Sequence, residues 1–232
     1  MSVGLSELHE LCNPDRYSRD AAITLGRKYA GRIGTFYISL TDFVRVLCTA
    51  TPPEIRTVER TLDIIRNIAP ERILCSAHRN VYASSSAKLR AQVTRTMVSL
   101  DPELILARKL LDDPDHRVRA NLIEGLWNVN SPAAQILFAI ATRDSHHRVA
   151  ANAAYGLYLC DSLSASPVIE NLARHPIPTF RTAAAWIIRK AGTEELQPLL
   201  RNMLGDTNPT VRKAAIKSQL DYRLRAAKGQ AA

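Results

Sequence analysis

Cysteine is scarce in this sequence and scattered where it occurs. Cys12, Cys48, Cys75 and Cys160 form no C-x-x-C pair, which argues against a zinc site or a disulfide framework and suits reduced, mostly buried thiols. The nine glycines include no phosphate-cradling loop. No apolar run approaches the length needed to span a bilayer. The stretch from Met1 to Glu10 lacks a charged segment followed by an apolar one, so no secretory leader is read there. Acid is the minority charge, with 22 Asp and Glu against 31 Lys and Arg, for a net charge of +9. The excess is spread along the chain but richest after Thr207, where Arg212, Lys213, Lys217, Arg223, Arg225 and Lys228 face the single acid Asp221. Such a surface suits an acidic partner and equally well needs none. The expectation is a basic, cytoplasmic protein without membrane segment, metal or cofactor.

What the sequence does have is a period. Val118, Val149, Phe180 and Val211 recur at a step of thirty-one residues. Leu126, Leu157 and Ile188 form a second column that ends in Gln219, and Leu106, Leu137, Val168 and Leu199 a third. A period of this size marks stacked supersecondary units, none of which can bury its apolar face alone. In each unit a first helix is expected to open near a proline or acid (Asp101-Pro102, Ser131-Pro132, Ser166-Pro167, Glu194-Glu195), because proline at the first helical position gives up no needed N–H. A short turn follows, and then a second helix rich in alanine, whose small columns (Leu122, Ala153, Ala184, Ala215 and Ile123, Ala154, Ala185, Ile216) let neighbours approach. Upstream, Ser18, Ile55 and Ala87 look like further second-helix starts, with a first helix around 37–47. The fold expected is all-α, a right-handed αα-solenoid of about seven helix pairs. It would run as one array over 1–232, with clear repeats at 100–225 and degenerate ones at 1–99. Gln219 suggests a polar outer face on the last repeat, and 226–232 reads as a frayed end.

The second-helix starts Val118-Arg119-Ala120-Asn121-Leu122, Val149-Ala150-Ala151-Asn152-Ala153 and Val211-Arg212-Lys213-Ala214-Ala215 resemble the V-R-x-x-A signature of HEAT repeats. An aspartate six residues earlier completes the pattern in Asp113 with Arg119 and Asp206 with Arg212. His175 precedes Arg181, and Asp144 precedes Ala150, so those two copies each depart from it. The short repeat is most similar to bacterial HEAT-like repeats of the phycobilin-lyase type. The resemblance implies a binding module in which aspartate and arginine pair along the stack. Arg119, Arg181 and Arg212 are therefore expected to be structural rather than a ladder for phosphates, and the aspartate is expected to cap the second helix. HEAT-repeat hydroxylases carry repeated His-Glu pairs; here His9-Glu10 is alone.

Enzymatic chemistry finds no constellation. His116 and His147 hold equivalent positions in adjacent repeats, about 10 Å apart by one interhelical spacing, too far to share a metal with ligands about 2 Å away. Ser84-Ser85-Ser86 lacks a nucleophile-elbow context, and Glu124 has no second carboxylate on its face. The second-helix surface is the stronger lead. Counting from the valine column, position three gives Asn121 and Asn152, position six gives Glu124, Tyr155, Trp186 and Lys217, and one turn further lie Trp127, Tyr158 and Arg189. These residues share a face. Asparagine can both donate to and accept from an extended backbone, and aromatics bury area at low entropy cost. The same rings also suit packing between repeats.

The function expected is a non-enzymatic scaffold holding a protein or peptide segment in a concave groove. Asn121 and Asn152 would meet its backbone, and Arg189 with Lys217 would favour an acidic partner. The alternatives are a nucleic-acid binder or HEAT-like DNA glycosylase using Glu124 beside Trp127, and, on resemblance alone, a bilin-lyase-like chaperone subunit.

Overall fold

The structure, a computed structural model, describes residues 3–50, 54–84, 86–99 and 105–229. Among the described residues there are fourteen helices and no strand, and the fold is an α-solenoid. No helix among them is long and apolar enough to cross a membrane. The helices divide into two compact units, 1–100 and 101–232. The helix start read at Asp101-Pro102, and the residues Ser85 and 230–232, lie outside the described residues.

The first unit comprises α1 (Leu5–Cys12), α2 (Arg19–Arg32), α3 (Phe36–Thr49), α4 (Ile55–Ile68), α5 (Glu71–Tyr82) and α6 (Ala87–Ser99). The three second-helix starts read from the sequence open α2, α4 and α6, the first capped where the Ala21 N–H donates to Ser18 Oγ. In α3, Phe36, Leu40, Phe43, Val44 and Leu47 recur at helical spacing and are buried, as are Val58, Leu62 and Ile65 of the adjoining α4. His78 of α5 is fully buried with neither ring nitrogen hydrogen-bonded. Burial, and secondarily the charge of Arg66, pushes its pKa down to about 4.

The second unit pairs α7 (Ile105–Leu110) with α8 (His116–Gly125), α9 (Pro132–Ala141) with α10 (His147–Cys160), α11 (Ser162–Ala173) with α12 (Pro178–Ala191), and α13 (Gln197–Met203) with α14 (Pro209–Gly229). The second helices α8, α10, α12 and α14 pack in sequence as one layer. Their alanine columns are the reason: Ala153, Ala154, Ala184, Ala185 and Ala215 are all fully buried. Gly156 takes the logic to its limit, since a Cβ there would stand 2.4 Å from the Phe138 ring of α9. Gly192 closes α12 in the left-handed conformation, with φ of 66°, and its N–H donates to the Ile188 carbonyl.

Three expectations are corrected. The helix containing Ser166 and Pro167 starts at Ser162, five residues before Pro167, because the Leu163 and Ser164 N–H groups donate to Asp161 Oδ1 and Pro167 is accommodated inside the helix. The outer face of the last helix is mixed rather than polar, for Ile216, Leu220 and Leu224 stand exposed there beside Lys213 and Lys217, and Gln219 is half-buried. Nor do the pattern aspartates cap the second helices. Asp113 and Asp144 accept from the N–H groups of Asp115 and His146, and these two residues hold the cap positions.

The aspartate instead receives an arginine from the preceding repeat. Arg119 donates through Nε and Nη2 to both oxygens of Asp144, at 2.7 and 3.0 Å, and through Nη1 to the Asp113 carbonyl at 2.7 Å. Arg181 repeats this on Asp206 and on the His175 carbonyl. The intervening step would join residues 150 and 175. There Ala150 is fully buried and His175 stacks on Phe180 at 4.1 Å, so both partners have been exchanged together.

Removing one partner of a largely buried pair strands the other charge, whereas removing both is far less costly. Arg119→Ala is expected to cost about 3 kcal/mol, and Arg119→Ala/Asp144→His, which copies the natural 150/175 step, to recover part of that in thermal melting. A double variant no more stable than the single would refute this account. His78 gives a separate expectation. Its folded pKa lies below the unfolded value of 6.5, so the unfolded chain takes up the proton first as pH falls. Stability is therefore lost between pH 6.5 and about 4, by about 3 kcal/mol at ~1.4 kcal/mol per pKa unit. Denaturation of His78→Leu across this range is expected to show a shallower fall.

Candidate functional site

One pocket of about 520 Å³ opens on the second-helix layer of the 101–232 unit. Its walls come from four successive repeats: Glu124 and Trp127 at the end of α8, Arg148 and Asn152 on α10, Thr182, Trp186 and Lys190 on α12, and Thr210 on α14. The repeat period places them. On α10 and α12 the lining residues Arg148 and Asn152, and Thr179, Thr182, Trp186 and Lys190, stand three or four positions apart and so share one face of each helix.

Three aromatic rings meet there. Trp127 lies edge-to-face with Tyr155 at 5.1 Å and tilted against Trp186 at 6.2 Å, and Tyr155 meets Trp186 at 5.8 Å. Trp127 is further fixed by donating its indole N–H to the Asn152 carbonyl at 3.0 Å. The ammonium of Lys190 stands 5.9 Å from the Trp127 ring and 6.0 Å from that of Tyr155, within cation–π reach of both. On the opposite side Arg148 reaches Asn121 Oδ1 at 3.1 Å and Glu124 at 3.9 Å. The site is thus an aromatic floor with cations on two sides and one carboxylate held beside one of them.

Of the residues marked in the sequence, Glu124, Trp127, Asn152 and Trp186 line this pocket, Tyr155 completes its ring cluster, and Asn121 joins through Arg148. Tyr158, Arg189 and Lys217 stand outside the lining. Tyr158 donates its hydroxyl to Thr193 at 3.0 Å, Arg189 pairs with Asp221 at 3.3 Å, and Lys217 is exposed on α14. The sequence reading missed His147, Arg148, Thr179, Lys190 and Thr210. Three of these, Arg148, Thr179 and Thr210, immediately precede the valine-column residue, one turn before position three. Extending the count backwards by that turn would have found them.

The turn histidines form a row in which His146 lies between His116 and His147. The ring of His116 stacks on His146, at 3.7 Å, and His146 stacks on His147 at 4.5 Å. Face-to-face stacking turns their nitrogens outwards along the ring edges rather than towards a shared point. Among the described residues no group of three or more His, Cys, Asp or Glu is arranged to hold a metal. Burial first, then the neighbouring imidazoles, lowers the pKa of His146 and His147. A neutral His146 also suits its cap, in which Nδ1 accepts from the Arg148 N–H.

Asn152 is buried, and its side-chain NH₂ donates to the Ala120 carbonyl of α8 at 3.1 Å. Its carboxamide therefore ties two repeats. Asn152→Ala is expected to cost about 1 kcal/mol by removing that inter-repeat hydrogen bond, read as a melting temperature about 4 °C lower. An unchanged melting curve would return Asn152 to the role of a ligand contact.

Residues 165–223, from within α11 to α14, match the family of HEAT repeats. No curated protein matches the chain. Among solved structures, the chain is similar to a designed armadillo repeat protein in complex with the peptide (KR)4, at 15% identity and a TM-score of 0.41, covering 94% of this chain and 98% of that one. It is similar also to an engineered protein at 13% identity and a TM-score of 0.38, covering 94% and 96%. The family match falls on the repeats that build the pocket's α12 and α14 walls and supports their reading as HEAT-like units.

Proposed function

We propose that this protein is a non-enzymatic binding module that seats a segment of a protein partner on the second-helix layer of its 101–232 unit. The observation that carries the reading is the convergence of Trp127, Tyr155 and Trp186 on one open pocket. The pocket's volume lies within the range of sites that take a ligand or a large anchor side chain. Rings presented at the protein surface supply binding area at little entropic cost and dominate interfaces where they are concentrated. Arg148 and Lys190 on the rim favour a segment with an acidic residue beside its apolar anchor. Glu124 holds its place beside Arg148 and would serve as the matching anionic edge.

A protein ligand fits better than nucleic acid because the arginines of the repeat signature are already committed. Arg119 and Arg181 are bidentate on aspartates, and Arg212 donates to the Asp206 and Thr207 carbonyls. A phosphate-tracking surface needs such cations available.

The protein holds only two tryptophans, and both line the pocket, so their emission reports its occupancy. Peptides selected from a displayed library against the full chain are expected to shift that emission on titration. Trp186→Ala is expected to weaken them about tenfold, equivalent to about 1.4 kcal/mol, while melting moves little. Selection of no peptide, or selected peptides indifferent to Trp186→Ala, would overturn the reading. Single-stranded DNA titrated in parallel provides the contrast: binding that is lost in that variant and falls steeply with salt would assign the pocket to nucleic acid.

A further inference from the structure

The exposed apolar face of α14 is a second surface, independent of the pocket. Ile216, Leu220 and Leu224 follow one another at i, i+4 and i+8 and are 49%, 54% and 62% exposed. They form a stripe about 12 Å long at 1.5 Å per residue. Scattered exposed leucines need no explanation, but a continuous stripe on one helix does.

The repeat register identifies what such a face does elsewhere in the same unit. Ile216 stands thirty-one residues after Ala185 and sixty-two after Ala154, and both alanines are fully buried. Leu220 is the counterpart of Arg189, which pairs with Asp221 of α14, and of Tyr158, which bonds Thr193. In α10 and α12 this face is therefore turned towards the following repeat, and α14 packs on α12. On α14 the same face carries three branched apolar side chains, Ile216 in place of the alanines and Leu220 in place of the tied Arg189 and Tyr158, and these stand exposed.

The charges around the stripe restrict the occupant. Lys213, Lys217 and Arg223 flank it, all exposed, and among the described residues none of them is in an ion pair. Asp221 lies further round the helix, paired with Arg189. A second copy of this chain docking through the same face would oppose cation to cation. We propose that the outer face of α14 docks an amphipathic helix of a partner protein, its apolar ridge against Ile216, Leu220 and Leu224 and its flanks acidic. The partner helix takes the position that a following second helix would take.

The test uses the full chain and a labelled helical peptide with leucines at i, i+3, i+4 and i+7 and glutamates on both flanks, followed by fluorescence anisotropy. A matched peptide with lysine flanks serves as control. The acidic peptide is expected to bind at least about tenfold more tightly than the lysine-flanked one. Leu220→Asp is expected to lose that binding with the melting curve unchanged, since the side chain is exposed. Lys213→Glu/Lys217→Glu is expected to reverse the preference between the two peptides, and Trp186→Ala to leave it unaltered. Equal binding of both peptides, or no binding of either, overturns the proposal. It is equally overturned by a dimer in sedimentation that Leu220→Asp abolishes, which gives the face to a second copy. Adsorption to phosphatidylserine vesicles without peptide binding overturns it in favour of a lipid surface.

Discussion

Two guanidiniums of the HEAT-like signature, those of Arg119 and Arg181, each join two turns at once, and tie successive repeats of the 101–232 unit together. Arg119 holds the carbonyl of its own turn and both carboxylate oxygens of the next. The bidentate geometry fixes angle as well as distance, which a lysine in the same place would not do. The carboxyl of Asp144 is raised by burial, yet the bonds from Arg119 and the His146 N–H outweigh this and hold it below its ordinary range. It therefore remains charged in the folded protein at neutral pH, and the pair stays intact where the repeat needs it.

The constraint also explains the exception. Taken within single repeats, His175 before Arg181 and Asp144 before Ala150 look like two damaged motifs. The structure shows that the pairing runs between repeats, so both substitutions fall on one step, and two complete pairs remain on either side of it. A half-removed pair would leave a nearly buried charge unanswered, and none is left here. The vacated step is filled apolarly, by Ala150 in the core and by His175 lying on Phe180. The sequence pattern and the electrostatics agree once the partner is sought twenty-five residues ahead rather than six behind.

Much of the fold was legible because its cause is periodic. Helix pairs, turns and alanine columns repeat, and Ser18, Ile55 and Ala87 mark second helices even where the repeat is degenerate. What escaped was decided by single local competitions, such as Asp161 capping ahead of Pro167, or His146 taking the cap that the pattern aspartate was expected to fill. The candidate site was half legible. Position six announced Tyr155 and Trp186 as neighbours on one face, but periodicity cannot say which polar groups will be used up by the stack. Asn152 and Arg189 were consumed by it, while Arg148, one helical turn before position three, and Lys190, the residue after Arg189, reached the pocket rim.

The net charge of +9 takes on a different meaning once the arginines are located. In the first unit, Arg16, Arg19 and Arg56 face Glu10, Asp63 and Asp15, and in the second the signature arginines face aspartates or turn carbonyls. The ion-paired cations among these are offset locally and contribute little attraction for a distant anion. Among the described cations of the second unit outside such ties, Lys190 stands at the aromatic rings and Lys213, Lys217 and Arg223 along α14, while Arg108, Lys109, Arg143 and Arg201 are exposed elsewhere on its surface. Charge beside exposed hydrophobic area is the composition of a protein-docking surface, in which burial supplies affinity and charge selects the partner. In the proposed reading, Lys190 at the pocket and Lys213, Lys217 and Arg223 on α14 would select acidic, partly apolar partners at these two places.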